Sequence, residues 1–163
     1  MTVYHRRTTV EAPFSQVWEF HSQISGLEAL TPSWMFLSID SVHYPEPSAA
    51  QSKTLVRDSE IEMSMRPLGV LPRQHWVSRI IARERNDTTG YFIDKMIGGP
   101  FQQWEHTHRF FADGEQTILD DQVEYQLPGG RLGRRMSVLG LIGFEAMFRG
   151  RHRTTKALLE DEA

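Results

Sequence analysis

Asp94-Lys95-Met96-Ile97-Gly98-Gly99-Pro100-Phe101-Gln102-Gln103-Trp104-Glu105-His106-Thr107-His108-Arg109-Phe110 is the stretch on which the fold turns. Polar and apolar residues alternate on both sides of Gly98-Gly99-Pro100, so the stretch reads as two strands joined by a hairpin turn. Successive side chains of a strand point to opposite faces. Trp104, His106, His108 and Phe110 therefore share one face of the second strand, and Phe92, Asp94 and Met96 share one face of the first. The first set is expected to face the last helix, and the Phe92, Asp94 and Met96 face is mainly apolar with one carboxylate.

The same alternation extends outward. Trp34 to Val42, Ser52 to Met65, Arg73 to Arg85, Thr88 to Ile97, Gln102 to Phe111 and Gln116 to Leu127 are six candidate strands, and Thr2 to Val10 is a further one at the start. Asn86-Asp87 and Asp113-Gly114 are tight turn signals, whereas Tyr44 to Gln51 and Pro67 to Pro72 read as longer loops. Sequential hairpins imply an antiparallel sheet. Helical spacing appears in two places. After Pro13, Phe14, Val17, Trp18 and His21 recur at three-to-four intervals, and a second short helix with Ile24, Leu27 and Leu30 stops at Pro32. Beyond Pro128-Gly129-Gly130, a broad apolar face (Leu132, Met136, Leu139, Ile142, Ala146, Met147) predicts a helix to about Leu159, roughly 40 Å long. The expected fold class is α+β, one domain over residues 1–163, with a curved antiparallel sheet around the last helix and two short helices after the first strand.

Composition limits the function. The chain has 163 residues, 39% hydrophobic and 24% charged, as expected of a folded globular domain. Eighteen Lys and Arg against 21 Asp and Glu give a net charge of -3, so no nucleic-acid partner is expected. With no Cys, disulfides, thiolate metal sites and cysteine nucleophiles are excluded, and a cytoplasmic location is expected. Met1 to Val10 lacks a basic start and an apolar run, and Met136 to Phe148 is too short to cross a bilayer, so neither a signal peptide nor a transmembrane segment is expected.

The order of elements, Ala12-Pro13 before Val17-Trp18, the hairpin quoted above and Asp121-x-Val123-x-Tyr125-x-x-Pro128 together resemble the START-like superfamily. That group includes the polyketide cyclase/dehydrase and birch-allergen-like proteins. The resemblance spans nearly the whole chain and is nearest to a bacterial and archaeal subfamily mostly of unassigned function. It implies a helix-grip fold, in which a seven-stranded sheet grips the last helix and encloses a cavity. It also implies a small hydrophobic or aromatic ligand, lipids and polyketides among them, with catalysis in only some members.

Chemistry concentrates on the inward faces. If the Asp113-Gly114 turn keeps them together, positions near 106 and 121 lie opposite, bringing His106 close to Asp121, with Asp94 approaching from the other side. Three readings follow. The first is an internal hydrogen-bond network, because a buried carboxylate needs partners. The second is acid–base catalysis of cyclase, dehydratase or hydrolase type, with His106 as base, Asp121 orienting it, and His108 or Tyr125 supplying a proton. The third is a metal site, since His106 and His108 project from one side of a strand. No cofactor or metal is expected, because the other histidines, His152 included, show no ligand spacing and no phosphate or dinucleotide fingerprint occurs.

The ligand-lining set expected from the sheet side is Trp34, Phe92, Asp94, Met96, Trp104, His106, His108, Phe110 and Tyr125; from the last helix it is Leu139, Ile142 and Ala146. Gly133, Gly140, Gly143 and Gly150 weaken that helix, so room for a ligand, close packing, or contact with a second copy in a homodimer must offset them. Arg131, Arg134 and Arg135 at its start and Arg149, Arg151, Arg153 and Lys156 near its end read as solvated basic groups, or as contacts for an anionic ligand. A ligand-free interaction module is the remaining reading.

Overall fold

The computed structural model describes residues 1–160, with side chains for all of them except 131 and 134–139. Seven strands form one antiparallel sheet: β1 (Thr2–Val10), β2 (Ser38–His43), β3 (Glu60–Met65), β4 (Gln74–Arg85), β5 (Thr89–Gly98), β6 (Gln103–Asp113) and β7 (Gln116–Gln126). Their spatial order is β1-β7-β6-β5-β4-β3-β2, so every consecutive pair from β2 to β7 is a hairpin and β1 closes the sheet beside β7. Register shifts at Ile39/Ser41 in β2 and Ile80/Ala82 in β4 are bulges, which bend a strand and increase its twist.

Helices α1 (Phe14–His21) and α2 (Ile24–Leu30) follow β1, and α1 buries Phe14, Val17, Trp18 and His21. The long helix α4 (Gly130–Leu159) has 30 residues, so at 1.5 Å per residue it is about 45 Å long. It starts where Gly129 and Gly130 take φ of 97° and 57°, a left-handed pair that side-chain-bearing residues adopt at a cost.

Two strand expectations are corrected. Trp34 lies in a 3-10 turn, Ser33–Met35, followed by Phe36 at φ 47°, so the strand predicted from Trp34 starts only at Ser38. Residues Pro47–Ser52 form helix α3, with Pro at its start and left-handed Lys53 at its end. Proline's fixed φ and missing N–H suit a first helical turn, so a segment that reads as loop is helical. The strand predicted from Ser52 begins at Glu60, after left-handed Asp58.

The core has two apolar clusters. One gathers Trp18, Ile61, Ile80, Phe110, Leu119 and Leu159, and the other Tyr4, Val123, Tyr125, Phe144 and Phe148. Between them on β6 stand His106 and His108, on β7 Asp121, and on α4 His152 and Thr155, all buried. A polar layer thus crosses the core where three elements meet.

Candidate functional site

The inward face of β6 carries the alternation that the sequence predicts, and it packs under α4. His106 pairs across with Asp94 on β5, and His108 with Asp121 on β7. The expected pairing of His106 opposite Asp121 is off by two residues, since Val123 faces His106. Two residues is the strand repeat, so the face is unchanged and the rings still reach Asp121 diagonally.

Asp121 is the centre of the layer. Its Oδ1 accepts a hydrogen bond from His106 Nε2 at 2.9 Å and lies 2.8 Å from His108 Nδ1, while Oδ2 is 2.5 Å from His152 Nε2. The His108 N–H is poorly aimed for a hydrogen bond, so that contact is mainly one of charge. Asp94 stands on the other side of the same two rings. Its Oδ2 is 3.5 Å from His106 Nδ1 and 3.4 Å from His108 Nε2, and its Oδ1 accepts a 3.4 Å bond from Ser78.

Burial raises the Asp121 pKa, but the charge of His108 and the histidine hydrogen bonds outweigh it and hold the carboxyl well below its ordinary value. Burial also opposes charge on Asp94, and His108 and His106 again overcome it, so Asp94 is lowered too. The two rings diverge. Burial and the neighbouring His108 push His106 down, whereas for His108 the two carboxylates outweigh burial and push it up. The arrangement favours a neutral His106 beside a charged His108, a division of labour that acid–base chemistry also uses.

Over this layer lies a cavity of roughly 340 Å³ between the sheet, α2 and α4. Trp34, Phe92, Asp94, Met96, Trp104, His106 and His108 line it, as expected. Phe110 and Tyr125 are fully buried in the two clusters and stand behind its wall. Ile142 is 73% exposed and Ala146 is exposed as well, so the expected helix face is corrected. The lining face of α4 instead carries Gly143, Phe144, Met147, Phe148 and Arg151, because two residues along a helix turn a side chain about 200° away. Leu139 lies outside the described side chains, as do Met136, Arg131, Arg134 and Arg135.

The glycines of α4 separate by cause. A Cβ on Gly133 would stand 2.1 Å from the Pro128 carbonyl oxygen and one on Gly140 3.0 Å from Tyr125 Oη, so both mark close packing. At Gly143 a Cβ would meet nothing within 4 Å.

Sequence reading missed three site residues. His152 and Arg151 come from the last turns of α4, and Arg151, left out of the expected lining set and read either as solvated or as an anion contact, lines the cavity; burial lowers its pKa while Asp121 and Asp94 support its charge. His21 of α1 also lines the cavity, with Nδ1–H donating to the Val17 carbonyl at 2.8 Å. Burial chiefly pushes its pKa down to about 3. Above pH ~6.5 its ring is neutral whether the chain is folded or not, and below that only the unfolded chain takes the proton readily. Folded stability therefore falls as pH drops, by about 2 kcal/mol from this residue at pH 5. Urea unfolding of wild type and His21→Gln at pH 7 and 5 checks this: the difference in stability should move in the variant's favour by that amount, and a pH-independent difference removes the assignment.

The sequence profile described as polyketide cyclase / dehydrase and lipid transport matches residues 10–141. The chain belongs to this family. Solved structures agree at the level of fold. A START superfamily protein from Mycobacterium smegmatis has a TM-score of 0.61 at 12% identity, with 99% of each chain covered. TTHA0849 from Thermus thermophilus has a TM-score of 0.59 at 17% identity over 96% of this chain and 99% of that one. Norcoclaurine synthase from Thalictrum flavum, solved with dopamine and hydroxybenzaldehyde, has a TM-score of 0.64 at 14% identity over 99% of this chain and 88% of that one. No curated protein sequence matches the chain significantly. The helix-grip fold of the family is therefore the fold of this chain, and among the described residues no helix is long and apolar enough to cross a membrane.

Proposed function

We propose that the protein binds a small hydrophobic or aromatic molecule between the sheet and α4. The observation that carries this reading is the cavity itself: its roughly 340 Å³ fall within the range of about 300–1,000 Å³ common for small-molecule sites. Its wall is mainly aromatic, aliphatic and methionine, with polar groups gathered at the His106, His108, Asp94 and Arg151 corner. Such a wall holds an apolar body and orients one polar end. The aromatic ligands in the Thalictrum flavum structure support an aromatic class for a cavity of the same fold. The lack of Cys supports a reducing, cytoplasmic setting.

Native mass spectrometry of the purified protein should show a discrete mass excess that disappears on denaturation. Trp34, Trp76 and Trp104 all line the cavity, so added aromatic ligands should also change the intrinsic fluorescence. A clean mass together with no fluorescence response to a panel of phenols, aldehydes and fatty acids rejects the proposal.

Acid–base catalysis is the second reading, and the opposed pKa directions of His106 and His108 favour it. Both nitrogens of His106 already face carboxylates, Asp121 and Asp94, so a substrate would have to displace one of them. Binding needs no such rearrangement.

A further inference from the structure

We infer that Asp94, His106 and His108 form a binding site for a divalent transition-metal ion, with an open coordination position facing the cavity. Their ligand atoms, one from each residue, all lie within 4.8 Å of one another. The distances fit coordination better than hydrogen bonding. Asp94 Oδ2 is 3.5 Å from His106 Nδ1 and 3.4 Å from His108 Nε2, long for a hydrogen bond between such groups. Oxygen and nitrogen ligands each about 2.0–2.1 Å from a tetrahedral ion lie about 3.3–3.4 Å from one another, which both Asp94 distances match, and the two imidazole nitrogens, within 4.8 Å of each other, would close on the ion.

The outer partners make the second argument. A metal-bound imidazole ordinarily gives its remaining nitrogen to a carboxylate, which fixes the ring. Here both rings turn their far nitrogens to the same carboxylate: His106 Nε2 is 2.9 Å and His108 Nδ1 2.8 Å from Asp121 Oδ1. His152 Nε2 holds the other oxygen of Asp121, and Ser78 holds the other oxygen of Asp94. His106 thus has a hydrogen-bonded orienting partner in Asp121, His108 a close but less well-aimed one in the same carboxylate and Asp94 a longer one in Ser78, and all three ligands stand on strands rather than loops.

Charge fits as well. Two carboxylates, the Arg151 guanidinium and a charged His108 are neutral together, and a divalent ion plus one anionic oxygen in the open position takes the place of the His108 proton with the corner still neutral. Two imidazoles and one carboxylate are a set that zinc and ferrous iron both accept. The inference rests on the cavity being a ligand site, because the open position is directed at its occupant.

The test uses untagged full-length protein, stripped with a chelator and titrated at neutral pH with Co²⁺, a spectroscopic stand-in for zinc. Expected are one equivalent bound, visible d–d absorption, and displacement of the colour by Zn²⁺. Asp94→Asn changes shape least and should weaken Co²⁺ binding by at least about 100-fold while the near-ultraviolet circular dichroism is unchanged; removing even an outer partner costs about 10–100-fold. His106→Gln should do the same where it folds. Absence of saturable binding, or binding that Asp94→Asn leaves intact, overturns the inference. An aromatic ligand titrated into the metal-free protein in parallel keeps the two readings apart: its binding without any Co²⁺ site sinks the metal and leaves the cavity, and the reverse result sinks the ligand proposal.

Discussion

Replacing Asp121 with Ala is expected to destabilise the protein by about 3–5 kcal/mol, the range for removing one partner from a buried charged pair. Three histidines depend on it, and His106, His108 and His152 are only 5%, 5% and 3% exposed. Without the carboxylate, their ring nitrogens keep the cost of leaving water and lose what offsets it. The loss falls between the two apolar clusters, where β6, β7 and α4 meet, so it should lower the cooperative unfolding of the whole domain. Asp121→Asn separates charge from shape. It keeps one acceptor oxygen and nearly the same volume, and should cost about 1–3 kcal/mol, as expected for a hydrogen-bonded group whose partners are only partly satisfied. Urea unfolding at pH 7 measures both. A cost below about 1 kcal/mol for Asp121→Ala would show that the histidines find water or other partners, and would remove the polar layer from the account of stability.

The same layer shows how far a sequence carries. Which strand faces look inward was legible in Trp104, His106, His108 and Phe110, because an alternating strand has only two faces and a turn of known length links it to the next. That Asp121 and Asp94 reach those histidines follows from the same rule, even though the register was off by two. His152 was not legible, since nothing local marks a helical histidine that packs on a strand residue 31 positions earlier. The helix face was misjudged for a different reason. Ile142 and Ala146 make an acceptable apolar stripe, but Phe144 and Phe148, four apart and aromatic, make a larger one, which Met147 of the expected face joins. Burying two rings releases more apolar surface than burying Ile142 and Ala146, and the helix rotates accordingly. Weighting the stripe by side-chain area would have found it. Helix α3 escaped because proline at a first helical turn and proline in a loop look the same without the backbone.

Gly143→Phe is expected to lower affinity for the cavity's ligand by at least about 100-fold, roughly 2.8 kcal/mol of binding, while leaving the fold as stable as before or more so. Gly143 lines the cavity at an exposed position, and a Cβ placed there meets nothing within 4 Å, so an added ring has open space in which to lie across the cavity mouth. The helix gains as well, since Gly costs about 0.8–1.0 kcal/mol relative to Ala in a helix interior and aromatic residues cost less. Gly140→Ala is the comparison with the opposite signature: Gly140 also lines the cavity, but its Cβ would press on the Tyr125 hydroxyl at 3.0 Å, disturbing packing while adding only one methyl to the wall. Thermal unfolding and ligand titration of the two variants therefore distinguish a space kept for an occupant from a core that packs imperfectly. In an imperfectly packed core, filling the gap raises stability and changes no affinity, because there is none to change. In a ligand site the two quantities move in opposite directions, and wild-type affinity in Gly143→Phe would show that the added ring stays out of the space the ligand occupies.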